Sequence, residues 1–118
     1  MAKLQISNPW GTDEVYMEIT KYLHNGNTAI TLCIENEDGF EPYNIVTKNF
    51  EELPEDYAYI DTNNNPGVLE LMLSKKMVFL TGDMKQSGFC TYPLVRLNFE
   101  EIKKYLKPAV AVCEEAST

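Results

Sequence analysis

The sequence predicts an α+β fold, an antiparallel sheet of about five strands with two short helices in a single domain. Three observations predict it. Apolar and polar residues alternate with a period of two on both sides of an Asn25-Gly26 pair. A proline-led stretch, Val68, Leu69, Leu71, Met72 and Leu73, supplies one apolar helical face. A second helical spacing, Phe99, Ile102, Tyr105 and Leu106, comes late in the chain. A length of 118 residues suits one domain and one hydrophobic core.

In chain order, residues 1–12 are expected as an N-terminal segment, 13–107 as the domain and 108–118 as a flexible C-terminal tail. Val15, Met17, Ile19 and Leu23 alternate with Tyr16, Glu18, Thr20 and Tyr22, the pattern of a half-buried strand. His24-Asn25-Gly26-Asn27 then reads as a tight hairpin turn, because Asn-Gly tolerates positive φ at both central positions. The return strand covers 28–35, with Ile30, Leu32 and Ile34 on one face and Ala29, Thr31 and Cys33 on the other. Asn36-Glu37-Asp38-Gly39 supplies a second turn. A third strand at 43–48, after Pro42, completes a meander.

An acidic stretch broken by Pro54 leads to a short strand at 57–60. In DTNNNPG, 61–67, Asn65 ahead of Pro66 is expected as a helix N-cap with proline at the first helical position. That helix ends near Ser74-Lys75-Lys76, where lysines favour the negative end of the dipole. Residues 77–81 fit either a strand or a helix extension. Residues 82–88 read as a polar loop, and 89–97 as a strand that Pro93 assigns to an edge or a bulge. Asn98 and Glu101 fit a capping box for the last helix, which Pro108 stops.

Ten basic against eighteen acidic residues give a net charge of −8, which excludes a generic phosphate-gripping surface and direct nucleic-acid binding. The N-terminus lacks the apolar core of a signal peptide, and no apolar run is long enough to span a bilayer. Cys33, Cys90 and Cys113 form an odd set without CxxC spacing, which reads as reduced thiols in a cytoplasmic protein with no membrane contact.

The single histidine, His24, lies beside a turn, and no spacing pairs it with Cys90 or Ser87 as a catalytic dyad. Cys33 reads as a small buried hydrophobe. The loops ENEDGFE and DTNNN carry oxygen ligands without the calcium-loop register. The chain is therefore expected to be no enzyme, with no metal and no cofactor. Charge placement departs from uniformity: nine of eighteen acids fall between Glu35 and Asp61, opposed by Lys48, while most cations come later. Glu35, Glu37, Asp38, Glu41, Glu51, Glu52, Glu55 and Asp56 are expected to converge on one negative face that attracts a basic partner.

As an ordered set, EPYNIVTKN, LPEDYAYIDTNNNPG, LTG and SGFCTYPLVRLN resemble an uncharacterised bacterial domain-of-unknown-function family carried on mobile genetic elements of gut bacteria. The resemblance covers residues from about Phe40 to Leu106. It implies a small accessory protein working against or beside host machinery, and it brings no assigned activity or catalytic residues. Together with the charge, it suggests an inhibitor of a nucleic-acid-processing defence complex, a CRISPR effector or a restriction enzyme, acting through the acidic face. The alternative is a small-ligand or peptide-binding module in which Asn63, Asn64, Phe89, Cys90 and Tyr92 line a groove between the DTNNNPG and SGFCTYPL loops. A third reading centres a thiol enzyme on Cys90. The expected state is a monomer, or a homodimer through an exposed edge near Pro93.

Overall fold

The computed structural model describes residues 3–8 and 10–107. Four strands make a first antiparallel sheet in chain order: β1 (Leu4–Asn8), β2 (Gly11–Lys21), β3 (Thr28–Asn36) and β4 (Gly39–Ile45). Their period-two patterns turn Leu4, Ile6, Val15, Met17, Ile30 and Leu32 into the core. Lys3, Glu14 and Glu35 stay exposed. Residues 4–8, expected outside the domain, are thus part of it. Five residues are too few to display a period, and pairing of Leu4 with Val15 and of Ile6 with Asp13 makes the strand.

Asn25-Gly26 does not close a two-residue hairpin. Lys21 pairs with Thr28, leaving a loop over residues 22–27 that the Tyr22 N–H closes onto the Asn27 carbonyl at 2.8 Å. Gly26 has φ of 75° but Asn25 does not share its positive φ, so the turn type that favours Asn-Gly is not formed. The Asn25 side chain instead accepts the Asn27 N–H at 3.1 Å. The second turn follows expectation: Asn36 pairs with Gly39, and Asn36 Oδ1 accepts the Asp38 N–H at 3.0 Å.

The third strand expected at 43–48 is two strands in two sheets. β4 ends at Ile45, and β5 (Thr47–Lys48) opens a second sheet with β6 (Tyr57–Ile60), β7 (Val78–Ser87) and β8 (Cys90–Leu97), ordered β5-β6-β8-β7. Val46, fully buried between them, donates its N–H to Ile30 of the first sheet at 2.9 Å. Its carbonyl accepts the Asp61 N–H, at the end of β6, at 2.7 Å. The α+β class with two short helices holds, but two four-stranded sheets replace one sheet of about five.

Of residues 77–81, Met77 is a bend and Val78 onward is strand, and the loop expected at 82–88 is mostly the continuation of β7. Between Leu80 and Met84 the register against β8 shifts. Gly82 at φ 93° makes the bulge, and Thr81 Oγ1 holds it by donating to the Leu94 carbonyl at 2.9 Å. Pro93 lies on an interior strand rather than an edge. It pairs with Met84 at that bulge, one residue past the last β6–β8 pair, Tyr59 with Leu94, where a missing N–H costs least.

α1 (Val68–Ser74) buries Val68 and Met72, as its spacing predicts. Its N-cap is Gly67 at φ 84°, not Asn65; the lysines that follow it lie just beyond its last turn. α2 (Phe99–Ile102) runs into a 3₁₀ turn at Lys103–Tyr105. Asn98 occupies the cap position, yet its amide donates to the Lys76 carbonyl at 2.9 Å and Glu101 pairs with Lys104, so the expected capping box is absent. Leu106 bridges to Met17 in parallel. Pro108, Cys113 and the rest of the expected tail lie outside the described residues. Among those described, no helix is long and apolar enough to cross a membrane.

Asn65 is buried because it ties the sheet switch to α1. Its Nδ2 donates to the carbonyls of Ile45 at 3.0 Å and Asp61 at 2.9 Å, and its Oδ1 accepts from Asn44 Nδ2 at 2.7 Å. Asn65→Leu keeps the branched shape and strands these polar groups, so it is expected to cost about 2–4 kcal/mol in urea unfolding. Asn63→Ala, at an exposed neighbour, should change stability by less than about 0.5 kcal/mol.

Candidate functional site

The eight acids do not share one face. Glu35, Glu37, Asp38 and Glu41 gather at the β3–β4 turn, where Glu35 pairs with Phe40 and Ile34 with Glu41. The loop of Glu51, Glu52, Glu55 and Asp56 sits at the opposite end of β3: Thr28 Oγ1 donates to the Glu55 carbonyl at 2.7 Å. The eight residue steps from Thr28 to Asn36 hold the two groups roughly 25 Å apart. Lysines offset part of each group, Lys3 beside Glu35, Lys21 on Glu55 at 3.0 Å and Lys85 on Glu51 at 2.8 Å. Glu37, Asp38, Glu41, Glu52 and Asp56 have no ion-pair partner among the described residues.

The second acidic group rides on a loop fixed from below by buried Asn27. Its Nδ2 donates to Asn49 Oδ1 at 2.8 Å and the Glu51 carbonyl at 2.6 Å, and its Oδ1 accepts the Leu53 N–H at 2.9 Å. Phe50 on this loop packs edge-on against Tyr59 and tilted against Tyr92, closing the outer face of the second sheet.

Nor do the five expected groove residues converge. Phe89 projects fully exposed from the β7–β8 turn, and Tyr92 is buried under Phe50. The neighbouring Cys90 side chain, then burial, raises the Tyr92 phenol above its ordinary value. Asn63 is exposed, and Asn64 turns back to donate Nδ2 to Asp61 Oδ2 at 2.8 Å. Of the two cysteines described, Cys33 is buried, and burial followed by Glu18 pushes its thiol up and away from reactivity.

One of those five, Asn64, does line a cleft. This space of about 380 Å³ lies between the asparagine loop and the first sheet, walled by Ile6, Ser7, Leu32, Tyr43, Asn44, Asn64, Asn65, Pro66 and Val68. A second cavity of about 230 Å³ adjoins it through Ile6, Ser7, Pro66 and Val68 and extends to Gln5, Gly67 and Leu71. Among the described residues, no Lys, Arg or His lines either space. Tyr43 OH donates to Asp13 Oδ2 at 3.1 Å, a carboxylate held beside the cleft. Sequence reasoning missed this wall because β1 was set outside the domain; Asn44 and Tyr43 carried no signal beyond membership of a strand.

A family model described as a domain of unknown function, DUF4313, matches residues 16–116. The chain belongs to this family. Neither the curated proteins nor the solved structures contain a match to it. The family supplies no activity for the cleft or the loops of this DUF4313 domain, and their chemistry is read from the residues alone. Among the described residues, no group of three or more His, Cys, Asp or Glu side chains is arranged to hold a metal ion.

Glu51 joins the acidic loop to the second sheet. Hydrogen bonds from Lys85 and Tyr59 hold its carboxyl below the ordinary 4.5. A depressed carboxyl stabilises the fold above its unfolded value and loses that contribution as pH falls through the folded one. Glu51→Gln removes the titration, so its thermal midpoint should fall less than the parent's between about pH 5 and about pH 3. Parallel midpoint curves would show that these bonds contribute nothing.

Proposed function

We propose that this chain is a non-enzymatic binding protein, and that the cleft of the asparagine loop takes a neutral or cationic, partly apolar ligand. The observation that carries this reading is the pair of adjoining cavities with apolar walls, a few convergent amides and, among the described residues, no cationic one. It retains the DTNNNPG half of the groove expected from sequence and replaces the SGFCTYPL half with β1 and β4. The test is a fragment screen by NMR. Neutral and cationic apolar fragments should shift Ile6, Val68 and Leu71 at about millimolar affinity, and anionic ones should not. Ser7→Trp, at an exposed position on the rim, should abolish the shifts while the protein stays folded. Shifts scattered over other surfaces would refute the reading.

A second reading rests on the loop that Asn27 holds. It makes the chain an inhibitor of a nucleic-acid-processing defence complex, such as a CRISPR effector or a restriction enzyme, in the mobile-element setting of gut bacteria that the sequence resemblance implies. A net charge of −8 and the ordered presentation of Glu52 and Asp56 support it. Because the acidic groups are separated, one end alone makes the contact. Reversing Glu52 and Asp56 to Lys is expected to weaken capture of such a basic enzyme at least about tenfold at low salt, and reversing Glu37 and Asp38 to leave it unchanged. Equal capture by both folded variants and the parent removes this reading.

A further inference from the structure

The smaller cavity touches Gln5, Ile6 and Ser7, three consecutive residues of β1. Side chains alternate along a strand, so no single face presents all three; the cavity runs along the edge of the strand. That edge is the outer one, because β1 ends the first sheet and β2 takes its other side. Across the channel stand Pro66, Gly67, Val68 and Leu71, at the start of α1. The space is therefore a slot between an edge strand and a helix, and it opens at Ile6 and Ser7 into the larger apolar cleft.

We propose that an extended peptide segment of a partner protein adds to β1 as a further strand of the first sheet, in this slot, with one apolar side chain in the adjoining cleft. The inference rests on the cleft being a binding site and names its occupant. An outermost strand directs alternate N–H and C=O groups away from its neighbour, and a peptide backbone matches that row where a compact small molecule does not. The wall sets the peptide's charge. Asn44 commits its amide to the Asn64 carbonyl and Asn65 Oδ1, and Asn64 commits its own to Asp61. Their amide donors are thus spent inside the protein, the Asp13 carboxylate stands behind Tyr43, and no cation lines the space among the described residues. The slot thus selects a peptide of neutral or basic flanks around one aliphatic or aromatic residue, and rejects an acidic one.

A random heptapeptide library displayed on phage, selected against the full chain, tests this. Enriched sequences should carry one apolar residue between neutral or basic ones. A synthetic heptapeptide from the selection should slow amide exchange at residues 5–7 at least about tenfold. Stepwise N-methylation of that heptapeptide should lower affinity at least about tenfold at alternate positions and little between them, the period of strand pairing. Ser7→Trp should abolish binding, with its thermal midpoint confirming the fold. N-methylation without alternation, enrichment of acidic sequences, or binding unaffected by Ser7→Trp each overturn the proposal. A concentration-dependent dimer that Ser7→Trp dissolves would also overturn it, by giving the slot to a second copy of β1. If apolar fragments occupy the cleft and no heptapeptide is selected, this inference fails and the binding reading stands; if neither binds, both fall.

Discussion

Val46 is the residue on which the two sheets depend. Its N–H belongs to the first sheet and its carbonyl to the second, and its side chain is wholly enclosed. A peptide group that serves two ladders at once leaves the chain no freedom in how β4 hands over to β5. Asn65 reinforces the same point from the other side, since it binds the carbonyl just before Val46 and that of Asp61, whose N–H Val46 accepts. Buried amides of this kind are costly if unpaired, so the arrangement is all or nothing. The cleft is a consequence: tying residues 61–65 to the end of β4 suspends the start of α1 over the first sheet without filling the space beneath it.

Asn27 plays the equivalent part just ahead of β3, three residues before Ile30, which accepts the Val46 N–H. It draws residues 49–53 down onto the 22–27 loop, which brings Phe50 over Tyr59 and Tyr92 and fixes where Glu51 and its neighbours emerge. Two buried asparagines thus set the two candidate surfaces. The acidic groups are then separated by the length of a central strand, a distance that their closeness in sequence conceals.

What was legible in the sequence were elements whose pattern is long or punctuated. β2 and β3 announce themselves by alternation, the Asn36–Gly39 turn by its residue types, and α1 by apolar spacing after Pro66. The misreadings share a physical cause. β7 from Thr81 onward alternates nothing because both its faces are largely exposed, so TGDMKQS looks like a loop. Residues 43–48 are extended throughout, and nothing in a local pattern says that two sheets divide them. Asn65 bonds backbone carbonyls, where an N-cap binds N–H groups; from sequence alone the two uses of one amide look the same. DTNNNPG was legible as a site to the extent of Asn64, while SGFCTYPL owes its character to a bulge, an interior proline and a buried Tyr92.

The sheet edges differ in a way that bears on which surface binds. Exposed edges invite pairing, and proteins guard them with short strands, charges, prolines or bulges. β5 is two residues long. β4 carries Glu41 and Pro42 and pairs with β3 through a register shift. β7 exposes Phe79, Leu80 and Met84 but is bulged between Leu80 and Met84 and bears Asp83 and Lys85. β1, Leu-Gln-Ile-Ser-Asn, has no charge, no proline and no bulge. What stands beside it is the wall of Pro66, Gly67 and Val68, one slot away. A wall set at that distance shields the strand from broad edge-to-edge contact and still admits a single narrow chain. Among the four edges, the one without a guard in its own sequence is therefore the one whose surroundings are shaped to choose what pairs with it.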